Sequence, residues 1–129
     1  ASLREMHARG VLLIPGTDLG GSFAYHRELQ LFAQLGLSPA EVLSRATLEM
    51  ARYLGEDQVA GSIERGKRAD FFLVPGDPTA DLRETLKVRM VVKDGVVYFP
   101  SEIHPHFGIK PFAEPPRLSL PAAVAGTAD

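Results

Sequence analysis

Asp18 is the side chain in this sequence of 129 residues best placed to do chemistry. It closes the stretch Val11-Leu12-Leu13-Ile14-Pro15-Gly16-Thr17-Asp18, where a short apolar run meets two breakers and then a carboxylate. An apolar run of this length between breakers suits a strand buried on both faces. A carboxylate at the C-terminal end of such a strand, ahead of a loop and a helix, sits where barrel enzymes keep their chemistry. The competing reading is an aspartate that caps the loop or the next helix. Gly20 and Gly21 follow, and glycine permits the close approach and mobility of a substrate-facing loop; a simple connection is the alternative. His26 opens the next helix, as a contact near the mouth of a site or as a histidine bonded to local backbone. Glu28, in the same turn, complements the helix N-terminus.

Two further patterns invite chemistry and fit it poorly. Gly61-x-x-x-x-Gly66-Lys67 matches most of a phosphate-binding loop, but that loop requires Ser or Thr next and a helix to follow. Here Arg68 follows, and Ala69-Asp70 leads into a strand. A turn at Glu64-Arg65-Gly66, with Lys67 and Arg68 solvated, is the simpler account. His104-Pro105-His106 has the spacing of a metal pair, but it falls after the last predicted strand and proline interrupts it. It reads as two solvated imidazoles. Asp70 and Asp77 read as turn residues, and His7 as a surface residue on a helix.

The elements that must position these groups follow from periodicity. Residues 3–9 form an amphipathic helix ended by Gly10. Tyr25 to Leu35 is helical, with Tyr25, Leu29, Phe32 and Ala33 on one face and Gly36 as the stop. Ser38-Pro39-Ala40-Glu41 is a capping box with proline at the first helical position; it starts a helix running to Leu54, with Gly55 as C-cap. Phe71–Val74 is a strand, Val88–Val92 a second and Val96–Phe99 a third, the last two joined by the hairpin signal Asp94-Gly95. From Pro100 onward the texture changes, with six of the ten prolines in the final segment. That segment reads as an extended tail that wraps a neighbouring surface or is partly mobile, frayed over residues 122–129.

Composition bounds the rest. Apolar residues make up 45% and charged residues 23%, as in an ordinary globular chain. The net charge of −2 gives no electrostatic reason to expect nucleic acid or an anionic membrane. With no cysteine, disulfides, thiolate metal ligands and a cysteine nucleophile are excluded. No apolar stretch approaches the ~20 residues of a membrane span. No targeting segment is visible, so the compartment is unknown. The chain opens mid-pattern, without Met, and a lone strand cannot be buried on both faces by one neighbour. The expectation is therefore a piece of a longer protein, with exposed apolar faces on Val11–Ile14 and on the Tyr25 helix unless something covers them.

Several segments in one order carry a resemblance: Pro15-Gly16-Thr17-Asp18, His26-Arg27-Glu28-Leu29, Gly36-Leu37-Ser38-Pro39, Ala46-Thr47, Ala51-Arg52-Tyr53-Leu54-Gly55, Gly61 to Asp70 and Val91-Val92-Lys93-Asp94-Gly95. Over residues 10 to 99 the sequence resembles the C-terminal end of a metal-dependent amidohydrolase, in the branch of imidazolonepropionase-like enzymes and Xaa-Pro or Xaa-Arg dipeptidases. The resemblance implies an α/β fold: the last βα unit of a TIM-type (β/α)8 barrel, followed by C-terminal strands of a composite β-sandwich. The implied division is 1–58 for the barrel portion, 59–99 for the sandwich portion and 100–129 for the Pro-rich tail.

In that family a divalent metal, zinc above all, lowers the pKa of bound water and polarises the scissile carbonyl. Asp18 matches the aspartate that takes the water's proton and returns one to the leaving amine, and it is also a metal ligand on this reading. His26, Gly20 and Gly21 match substrate-facing positions. The remaining ligands, histidines on earlier barrel strands, are absent from this chain, which on its own is expected to be inactive. Implied partners are a small amide or peptide substrate, the remainder of the parent chain and, since many relatives self-associate, a second copy. The alternative is a small non-catalytic interaction domain that uses the Asp94-Gly95 hairpin and the Pro-rich tail.

Overall fold

A computed structural model describes residues 2–20 and 22–119; the reading of residues 122–129 as frayed lies outside them. Five helices, α1 (Leu3–Ala8), α2 (Ser22–Gln34), α3 (Pro39–Ala46), α4 (Leu48–Leu54) and α5 (Pro100–Ile103), surround three strands, β1 (Phe71–Leu73), β2 (Met90–Lys93) and β3 (Val96–Tyr98). Two short 3-10 helices, Leu82–Leu86 and His104–Phe107, complete the order. The strands form one antiparallel sheet in the order β1-β2-β3. Phe72 faces Val91 and Val91 faces Tyr98, so these three share a side, opposite to Phe71, Val92 and Val97.

The core forms where amphipathic helices meet. Leu29 and Phe32 on α2, Leu37, Val42 on α3 and Leu82 in the first 3-10 helix are buried together, with Leu13, Tyr25 and Leu43 packed against them. Burying each of the large side chains stabilises the chain by roughly 1.5–3 kcal/mol. The capping signals act as read. Ser38 Oγ accepts from Glu41 N while Glu41 accepts from Ser38 N at 2.7 Å, and Pro39 stands in the first turn. Ser2 and Glu5 repeat the box at α1. The Asp94-Gly95 turn has φ of 50° and 79° at its central residues, the left-handed pair of a type I′ hairpin. Asp70 clamps it, accepting from Asp94 N and from Lys93 Nζ at 2.9 Å.

Three expectations need correction. The helix read from Ser38 to Leu54 is two helices that break at Thr47, where φ is −124° and ψ is −90°. The Thr47 hydroxyl donates to the Leu43 carbonyl at 2.7 Å, the back-bonding by which a mid-helix threonine bends its helix. Second, Val11–Ile14 forms no strand among the described residues, and Val11 and Leu12 are 47% and 50% exposed. A strand needs backbone partners, and the sheet that forms lies elsewhere in the chain. Val11 and Leu12 are exposed as expected of an uncovered run, whereas the apolar face of α2, expected to be bare, is covered within the chain: Leu29 and Phe32 are buried and Tyr25 and Ala33 pack against the same core. Third, the Pro-rich segment opens with α5 and a 3-10 helix instead of extended chain, because Pro100 and Pro105 occupy helix starts and Gly108, at φ 68°, ends the second. Arg89 then holds the later part of the segment through the carbonyls of Glu114 and Pro115, at 2.8 and 3.1 Å.

The two glycines of the phosphate-loop-like stretch do structural work of different kinds. A Cβ on Gly61 would stand 2.6 Å from Ala51 Cβ and 3.0 Å from Leu48 Cα, so glycine lets this loop lie directly on α4. Gly66 has open space around it and a φ of +94°. Both positions carry the ~1–2 kcal/mol penalty of a left-handed side chain. Gly61→Ala should therefore cost about 1–3 kcal/mol more than Gly66→Ala, from overpacking alone, when the two are compared by urea denaturation.

Candidate active site

Pro15 is fully buried and anchors the chain just before the loop that bears Asp18. Thr17 organises that loop: its Oγ1 accepts from Leu19 N at 3.2 Å and stands 3.1 Å from the Leu19 carbonyl, closing a tight side-chain turn. Asp18 lies inside this turn at φ 51°, a left-handed conformation that aspartate tolerates better than most residues. Its carboxylate is exposed and makes no hydrogen bond or ion pair among the described residues. Gly20 is exposed beside it, and Gly21 lies outside the described residues. The loop thus presents an exposed carboxylate with no hydrogen bond among the described residues, a few positions before α2.

His26 stands one turn into α2 and is turned to the opposite end of the molecule from the standpoint of sequence. Its Nδ1 lies 3.0 Å from Thr85 Oγ1, across 59 residues of chain. Thr85 is 3% exposed, and its hydroxyl donates to the Leu82 carbonyl at 2.7 Å. A hydroxyl has one proton. Because Thr85 gives it to Leu82, His26 must be the donor, which fixes the imidazole as the Nδ1–H tautomer and leaves Nε2 with its lone pair. Burial pushes the His26 pKa below its ordinary value, so the ring is neutral near pH 7. Tyr25, its neighbour, is held in the phenol form by burial first and by Glu28 second, both of which raise its pKa.

His26 and Thr85 line a cavity of about 380 Å³ between α2, α3, the sheet and the C-terminal segment. His104 and Phe112 reach it from that segment. His104 is not a solvated tail histidine. Its ring packs edge-on against Phe112 with centroids 5.8 Å apart, and its Nδ1 is buried without a hydrogen-bond partner among the described residues. Phe112 in turn meets Phe23 of α2 at 5.8 Å. His106, by contrast, is exposed. A larger and shallower depression of about 550 Å³ lies between α4 and β1. Asp18 lines neither. Lys67, the lysine of the phosphate-loop-like motif, is occupied: its Nζ donates to Ser62 at 2.6 Å and pairs with Glu64 at 3.2 Å.

Sequence reasoning misses Thr85 and Phe112 and places His104 in solvent. Thr85 sits in a short polar stretch with no periodicity, and nothing local announces a partner on α2.

The Amidohydrolase family profile matches residues 1–98. The chain belongs to the amidohydrolase family. Among curated amidohydrolase relatives, it is 34% identical over 105 residues to an imidazolonepropionase from Brevibacillus brevis, covering 75% of this chain and 25% of that protein. It is 35% identical over 98 residues to an imidazolonepropionase from Syntrophobacter fumaroxidans, covering 72% and 23%. Among solved structures, a Xaa-Pro dipeptidase with bound methionine in the active site superposes with a TM-score of 0.68 at 33% identity, over 74% of this chain and 24% of that one. The chain therefore spans about a quarter of the length of the relatives it matches.

Amidohydrolases are generally metal-dependent. Among the described residues, no group of three or more His, Cys, Asp or Glu could hold a metal ion. Asp18 offers one free carboxylate, whereas a zinc-type ion takes three or four protein ligands. The residues described here do not by themselves constitute a metal centre. No described helix is long and apolar enough to cross a membrane.

The neutral His26 has a consequence for pH dependence. Its folded pKa lies below the unfolded value, so below pH ~6.5 the unfolded chain binds a proton that the folded chain resists. Stability supplied by this group is complete above about pH 6.5 and is lost as pH falls toward the folded pKa. Thermal melts between pH 5 and 8 should show wild type losing more stability on acidification than His26→Phe; parallel curves would refute the assignment.

Proposed function

We propose that this chain is the C-terminal portion of an amidohydrolase that hydrolyses a C–N bond in a small amide, cyclic amide or peptide, with Asp18 as the proton shuttle. The family match over residues 1–98 carries the reading. It is supported by the setting of Asp18: an apolar run, a buried proline, and a carboxylate held in a closed turn with no competing partner. In the proposed arrangement Val11–Ile14, which forms no strand in this chain alone, pairs as the last strand of a TIM-type barrel in the full-length protein; residues 1–58 belong to that barrel, 59–99 contribute strands to a composite β-sandwich, and 100–129 trail across them.

The reaction requires a water to lose a proton as it attacks the carbonyl carbon and the amine to gain one as the C–N bond breaks. A single carboxylate does both in sequence, provided it is fixed within hydrogen-bond reach of each. The Thr17–Leu19 turn, which holds the backbone at Asp18, supports this role. A divalent metal, when bound, would lower the pKa of the attacking water and polarise the carbonyl. Asp18 is the residue of this chain proposed as one of its ligands, the others coming from outside the described residues. Gly20 and Gly21, without side chains, leave the loop open to the substrate. For His26 the proposed substrate contact is through Nε2, the nitrogen Thr85 leaves free.

Asp18→Asn, made in a full-length protein carrying this segment, removes the proton acceptor and keeps the shape. It should lower kcat by about 10²–10⁴-fold while circular dichroism and the melting curve stay as in wild type. Near-normal turnover would remove Asp18 from the mechanism.

A further inference from the structure

We infer that the cavity between α2 and the C-terminal segment is a binding site for a small, neutral, planar molecule that carries one N–H or O–H donor, with His26 Nε2 as the acceptor that reads it. This extends the proposed contact at His26 and rests on its tautomer, not on Asp18 or on hydrolysis.

The volume, about 380 Å³, falls in the range of small-molecule sites. Its lining contains no Asp, Glu, Lys or Arg, which selects against a charged guest. Phe23 and Phe112, close to each other and with His104 edge-on beyond, offer flat surfaces suited to a ring. Two hydroxyls of the lining are committed: Thr85 gives its proton to Leu82, and Thr47 gives its own to Leu43. His104 Nδ1 is buried and makes no hydrogen bond among the described residues. With it stand His26 Nε2, made an acceptor by the Thr85 hydroxyl, and the Tyr25 phenol, which burial keeps neutral. The acceptor role of His26 Nε2 is what confers selectivity: a guest with a donor gains a hydrogen bond there, and one without gains none.

Phenol and toluene, alike in shape and different in one hydroxyl, are the probes, titrated into the whole chain at pH 8 and followed by imidazole nitrogen NMR. Phenol should bind saturably, about three- to tenfold more tightly than toluene, the range set by one neutral hydrogen bond. It should also shift the His26 Nε2 signal. His26→Phe should bind both equally. The wild-type comparison decides the matter even if that variant does not fold. Equal affinities in wild type, no saturable binding of either probe, or a resting His26 protonated on Nε2 would overturn the inference.

Discussion

The apolar face of α2 is the constraint on which the rest depends. Leu29 and Phe32 bury themselves against Val42 of α3 and Leu82 of the 3-10 helix, and this core joins the helical half of the chain to the half that carries the sheet. Truncating either side chain would cost about 2–5 kcal/mol, a large share of what a chain of this size can spare. Everything of chemical interest hangs from the same helix. Its N-terminus receives the Asp18 loop, its first turn carries His26, and Phe23 meets the C-terminal segment.

Polar groups then refine what the apolar contact establishes. The relay from His26 through Thr85 to the Leu82 carbonyl crosses the same interface as the Leu29–Leu82 packing. Burial strengthens each hydrogen bond and raises the cost of leaving one unmade. The result fixes one proton on one nitrogen without any charge. In the loop before α2, Thr17 makes the side-chain hydrogen bonds, and Asp18 makes none among the described residues.

Local chemistry was legible in the sequence to the extent that it is local. The Ser38–Glu41 capping box, the Asp94-Gly95 turn and the stop at Gly55 depend on residues within four positions of one another, and each forms as its side chains dictate. The same holds for the central strand of the sheet, whose alternation places Met90 and Val92 inside. The break at Thr47 was not legible, since a threonine at helical spacing supports a helix as readily as it bends one. Val11–Ile14 has the composition of a buried strand but lacks neighbours to pair with among the described residues, so composition and conformation part company there. The order of segments around Asp18 revealed the family. The Thr85 partner of His26 and the docking of Phe112 on Phe23 arise only when distant segments meet, and no window of sequence contains both sides of either contact.

The sheet has β2 at its centre, which leaves the outer backbone of β3 without a neighbour among the described residues. Val96, Val97 and Tyr98 are all exposed, and none carries a charge that would repel an incoming strand. Natural sheets blunt such margins with lysine, proline or a bulge; here Pro100 arrives only after the strand has ended. Together with the bare Val11–Leu12 run, this makes the chain sticky when concentrated, and handling it in solution will call for dilution or for a cover over that margin.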